Sequence, residues 1–113
     1  MGETELITLL ESLGITRRYL GCIMAAEAII LLDDASRSCD AVRLRRGVYE
    51  PLACQHGCHW QQVERNLRTV VQRAWYVNRK GLCALASYPL ASVPSVGEFL
   101  EMLLTYAQRC RTL

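Results

Sequence analysis

Between Ala53 and Trp75 the chain reads ACQHGCHWQQVERNLRTVVQRAW. Cys54, His56, Cys58 and His59 crowd the start of this stretch, and Arg65, Arg68 and Arg73 follow among glutamines and a glutamate. Two chemistries use such residue types. Thiolates and imidazoles hold zinc, while guanidinium and amide groups on one helix face bond to base edges in the major groove of DNA.

The metal reading is set by spacing. Cys54 and Cys58 stand at i, i+4, and His56 and His59 at i, i+3. The usual zinc patterns place two residues between cysteines, or a long gap between cysteines and histidines. Gly57 also divides these four residues between two segments. The expectation is therefore no metal, with a zinc ion on Cys54, Cys58 and His59 as the competing arrangement. A thiol-modulated variant, with Cys54 or Cys58 oxidised beside Arg65, is a further one. No nucleophile–base–acid set, phosphate loop or dinucleotide motif is present. The chain is expected to be no enzyme, to use no cofactor and to take no small-molecule substrate.

The nucleic-acid reading needs a helix pair with a tight turn. Such a motif places a small residue in the first helix, a residue tolerant of positive φ four positions later, and an aliphatic anchor six positions after that. Ala53, Gly57 and Val63 stand at those positions. With Val63, Leu67 and Val70 turned inward, Gln61, Gln62, Glu64, Arg65, Arg68 and Thr69 fall on outer or flanking faces. These are the candidate base readers, since arginine forks to guanine, glutamine to adenine, and glutamate accepts from cytosine. Arg45, Arg46, Arg73, Arg79 and Lys80 surround them and suit phosphates, which fix register rather than sequence.

The elements that must carry these residues are helical. Leu6, Leu10 and Leu13 make one stripe over Glu3–Leu13, ending at Gly14. Thr16 is placed to cap a second helix over about Arg17–Ala35, with Leu20, Ile23, Met24 and Leu31 at helical spacing. Asp33–Asp40 is a polar break. A short helix at Ala41–Arg46 is expected to stop at Gly47, and another, Pro51–His56, to stop at Gly57. From Trp60, the residues Val63, Leu67, Val70, Ala74 and Val77 predict a long buried stripe closed by Gly81, so the reading helix spans 60–79 and the helix-turn-helix about 50–79. Pro89 and Pro94 mark an irregular connection. Ser95 and Glu98 form a capping box for a last helix, Val96–Arg109, with Phe99, Leu103 and Tyr106 inward. No strand pattern and no repeat is visible. The fold class is all-α, one domain over residues 1–113.

Charge distribution supports a polyanionic partner. The net charge is only +2, yet residues 1–34 carry a net −4 and residues 35–81 a net +6. The acidic start, MGETELITLLES, is no secretory signal. No apolar run is long enough to span a bilayer, and the myristoylation pattern is missing. The expectation is a cytoplasmic, nucleoid-associated protein that does not bind membranes. Its six cysteines then read as free thiols, mostly buried as small apolar groups.

At these residues the chain resembles the C-terminal DNA-binding effector domain of the stage zero sporulation response regulator. The carrying stretch is Tyr49-Glu50-Pro51-Leu52-Ala53, Val63-Glu64-Arg65, Arg68 and Ala74-Trp75. Gly14, Gly21 and Glu27-Ala28-Ile29 extend the likeness upstream, and Pro94 with Glu98-Phe99 extend it downstream. It covers about Leu6 to Cys110. The resemblance implies about six helices, duplex-DNA binding in transcription regulation related to sporulation, and binding as a homodimer or as tandem copies. By position it puts the base-reading segment on Gln61–Arg65, Arg68 and Thr69. The chain departs from the family pattern where Gln62 replaces an arginine, Thr69 a histidine, Cys58-His59 a Thr-Thr turn, and Trp60 a small residue. No receiver domain is present in these residues, so a free-standing effector domain is expected. The alternative function is a protein-interaction module on the same scaffold, which an exposed Trp60 and the missing arginine at Gln62 would favour.

Overall fold

A computed structural model of the chain describes residues 3–35 and 44–112. Six helices occur among them, and no strand. The first, α1 (Glu3–Ser12), buries Leu6, Ile7 and Leu10. It ends as its leucine pattern predicts, with Gly14 at φ +90° and the Ile15 amide donating back to the Leu10 carbonyl at 3.0 Å. Leu13 and Ile15 are then carried into the core.

The second helix, α2 (Leu20–Ala35), packs against α1 and against three later helices, so it runs through the middle of the structure. It starts later than Thr16 suggested. The Thr16 carbonyl accepts from the Tyr19 amide at 3.1 Å, and residues 16–19 form a turn instead of a helical entry. The expected stripe also differs. Leu20 is 47% exposed, and Ile23 and Leu31 are half-buried, while Cys22, Ala25, Ala26, Ala28 and Ile29 are buried with Met24. An all-round apolar helix has no strong periodicity, so the pattern did not say which side faces inward. Asp33, Asp34 and Ala35 belong to α2 and do not break it; residues 36–40, and the start of the Ala41–Arg46 helix, lie outside the described residues.

Gly47 does not stop a helix. It is buried in a π-helical turn, Arg45–Tyr49, that runs directly into α3 (Glu50–His56), with the Glu50 amide donating to the Arg45 carbonyl. Burial of Val48 and Tyr49 beside it offsets the weak helical propensity of glycine. Pro51 lies in the first turn of α3, where a missing amide hydrogen is harmless.

The long helix, α4 (Trp60–Val77), buries Val63, Leu67, Val70, Val71 and Ala74. Two expectations fail at its end. Val77 is 46% exposed, lying against Gly14, and the helix stops there and not at 79. A new helix, α5 (Arg79–Ala86), begins at once, and Gly81 sits in its first turn. Asn78 is the cause. Its Oδ1 accepts from the Gly81 amide at 3.0 Å, and its Nδ2 donates to the Ser12 carbonyl at 2.9 Å, fixing the corner to α1.

The last helix, α6 (Val96–Thr112), opens with the expected capping box. Ser95 Oγ accepts from the Glu98 amide, and Glu98 Oε1 from the Ser95 amide, both at 3.1 Å. Its buried face is Phe99, Leu100, Leu103, Leu104 and Ala107, while Tyr106 is 37% exposed and flanks that face. One apolar cluster receives side chains from all six helices.

Candidate nucleic-acid interface

The turn between α3 and α4 is built as the helix-turn-helix spacing requires. Gly57 has φ +65°, and the Cys58 amide closes the turn on the Ala53 carbonyl at 2.9 Å. Ala53 is 5% exposed and Val63 fully buried, so the small residue and the aliphatic anchor both face inward. His59 is extended and precedes α4 without a side-chain cap. The pair is also tied to α2. Glu27 accepts from Gln55 Nε2 at 2.7 Å through one carboxylate oxygen, and its other oxygen lies 2.7 Å from Nε2 of His56. Sequence inspection missed that link, since it joins residues far apart in the chain.

Successive α-helix residues are rotated by about 100°. Opposite the buried stripe of α4 this places Gln61, Arg65, Arg68, Gln72 and Tyr76, and all five are exposed. Gln62, Thr69 and Arg73, also exposed, lie along one flank; Glu64, half-buried, lies on the other. Five of the six candidate base readers are therefore on the open side of one helix, and Glu64 borders it half-buried. Gln72 and Tyr76 continue the i, i+4, i+7 progression from Gln61, Arg65 and Arg68, and Tyr76 is 87% exposed.

These side chains already have some bonds. The Arg68 guanidinium donates to the Glu64 carboxylate one turn before it. Thr69 Oγ1 donates to the Arg65 carbonyl at 3.0 Å, leaving its methyl group and oxygen lone pairs free. The phosphate candidates surround the helix. Arg45 lies over the Trp60 ring, 4.4 Å from its centre, with its Nε 3.4 Å from Glu50. Arg73 lies 5.8 Å over the ring of Tyr19, and Arg79 4.0 Å over that of Trp75. Arg46 and Lys80 are exposed.

Trp60 is half-buried and parallel to Tyr49, with ring centres 6.3 Å apart. Trp75 is half-buried and packs against the core. Burial pushes the Tyr49 hydroxyl up to about 12, helped by the Glu64 carboxylate and opposed by Arg68. Burial likewise raises the thiol of Cys22, with Glu11 adding to it and Arg17 opposing. A groove of about 650 Å³ opens between α4 and α6, rimmed by Glu64, Glu98 and Glu101. Arg68 and Gln72 of the outer face line the same groove, so that face and the groove adjoin.

The soft side chains at the turn are spread out. Cys54 and His59 are exposed, Cys58 is half-buried against the core, and His56 is turned to Glu27. Among the described residues, no three His, Cys, Asp or Glu side chains are grouped so as to hold a metal ion. Nor is any helix among them long and apolar enough to cross a membrane.

A family model described as Sporulation initiation factor Spo0A C terminal matches residues 6–106. No curated protein and no solved structure matches the chain.

Proposed function

We propose that this chain, which belongs to the Spo0A C-terminal family of sporulation initiation factors, binds duplex DNA sequence-specifically as a transcription regulator. The observation that carries this reading is the outer face of α4. Gln61, Arg65 and Arg68 stand exposed opposite a fully buried stripe, beyond a turn whose geometry suits groove entry. In the proposal α4 lies in the major groove. Gln61, Gln62, Arg65 and Thr69 meet base edges with the Glu64–Arg68 pair, and Arg45, Arg46, Arg73, Arg79 and Lys80 meet phosphates. The whole chain acts as one helical domain, on paired or tandem sites, in the nucleoid-containing compartment.

Titration of a labelled duplex pool at increasing salt tests the reading. Binding that weakens linearly in log salt, with a slope of several phosphates, supports it. Binding that ignores salt, or no binding beside a stable complex with a protein, favours the interaction-module alternative. One feature expected to support that alternative is weakened, because Trp60 is covered by Tyr49 and Arg45. The missing arginine at Gln62 and the exposed ring of Tyr76 remain in its favour.

A further inference from the structure

Three arginines around α4 lie over aromatic rings: Arg79 over Trp75 and Arg45 over Trp60 at 4.0 and 4.4 Å from the ring centres, and Arg73 over Tyr19 farther off at 5.8 Å. We propose that Tyr19, Trp60 and Trp75 are positioning residues for DNA binding, each holding a phosphate-directed guanidinium in place before the duplex arrives. The proposal rests on the duplex-binding reading above and adds residues that never touch the nucleic acid.

The chemistry follows from the shape of the guanidinium. Its five N–H donors all point outward in the plane of the group, while its faces carry none. A ring underneath takes one face and leaves the hydrogen-bonding edge open for a phosphate. A free arginine must give up rotamer freedom when it binds; a stacked one has given up part of it already. The weak cation–π attraction at an exposed site is thus turned into a fixed direction for a strong, charge-assisted bond.

The placement of the rings fits this role. Trp60 and Trp75 are fifteen residues apart on α4, which is about 22 Å along the axis and about 60° around it. They sit at the two ends of the flank that carries Glu64, whose carboxylate is paired with the Arg68 guanidinium. Tyr19 lies outside α4, in the turn before α2, and supports Arg73 on the opposite flank. Supported cations therefore stand on both sides of the exposed stripe, where the two phosphate backbones of a groove run. The Tyr49 ring, parallel to Trp60, backs the Arg45 stack in turn, although Glu50 occupies part of the Arg45 edge. Arg79, nearest its ring, is the strongest case, and Arg73, 5.8 Å from the Tyr19 ring centre, is the most demanding one.

The experiment is a pair of double-mutant cycles, Trp75→Leu with Arg79→Ala and Tyr19→Leu with Arg73→Ala. Binding of a labelled duplex is measured across a salt series, and folding of every variant is checked by thermal unfolding. Each ring removal is expected to weaken binding about two- to fivefold in the native background, and less than twofold once the partner arginine is gone. Each arginine removal should lower the salt slope by about 0.9. Trp75→Phe, which keeps a smaller ring, should give an intermediate loss and covers the case that Trp75→Leu unfolds. A pair that couples keeps its ring's role; a pair whose losses add loses it. Additive losses in both cycles overturn the proposal while duplex binding stands, whereas failure of the unaltered chain to bind any duplex overturns both.

Discussion

Gly21 of α2 lies directly against Asn66 of α4. A Cβ at Gly21 would collide with the Asn66 carbonyl and stand 2.5 Å from Cγ2 of Val70. The obstacle includes backbone, which cannot swing aside as a side chain tip can. This contact sets how closely the long helix crosses the central one, and hence how far its outer face projects. Gly21→Ala is therefore expected to lower stability by about 1–3 kcal/mol, read as a fall in the thermal unfolding midpoint.

Gly57 poses the opposite case. Nothing lies within 4 Å of a Cβ built there, but its φ is +65°. The cost of a side chain is then purely conformational. Gly57→Ala should destabilise by about 1–2 kcal/mol, and Gly57→Asn by less, since asparagine tolerates this region better. Equal losses in denaturant unfolding for the two variants would contradict this account of the turn.

Alkaline pH should unfold the chain partly through Tyr49. Its folded-state value, about 12, lies above the ordinary 10.0. Between these values the unfolded chain releases a proton that the folded chain keeps, so stability falls as pH rises. The contribution is fully present below pH 10 and is lost through about 12. The raised Cys22 thiol acts in the same sense, starting from its ordinary 9.0. Unfolding followed against pH should show a shallower alkaline decline in Tyr49→Phe.

The proposed base and phosphate contacts separate by their salt response. Arg65→Ala removes an exposed guanidinium from the centre of the outer stripe. It should cost about 1–3 kcal/mol on the preferred duplex and relax preference at one position. Arg73→Ala should weaken binding to all duplexes alike and flatten the salt dependence by about one phosphate. Equilibrium titrations on a preferred and a shuffled duplex distinguish the two patterns.

Much of the candidate interface was legible because its signals are local. Ala53, Gly57 and Val63 are tied by chain spacing, and the α4 stripe repeats over several turns, so the same residues turn inward in the structure. The Ser95–Glu98 box is equally local. What escaped the sequence depends on distant partners. Gly81 looks like a helix end until the Asn78 side chain, held by Ser12, is seen to start α5 around it. Gly47 looks like a stop until burial carries the π-helical turn past it. Tyr19 has no sequence mark connecting it to Arg73, nor Glu27 to His56. Val77 continued the stripe in pattern only, because the helix leaves the core there.

Selection of duplexes from a random pool by the unaltered chain at moderate salt tests the central claim most directly. The account predicts enrichment of one short motif, and a loosened choice at a single position of that motif when the selection is repeated with Arg65→Ala. A pool that stays random after repeated rounds, or an Arg65→Ala protein that enriches the unaltered motif, would contradict the assignment of the α4 face to DNA.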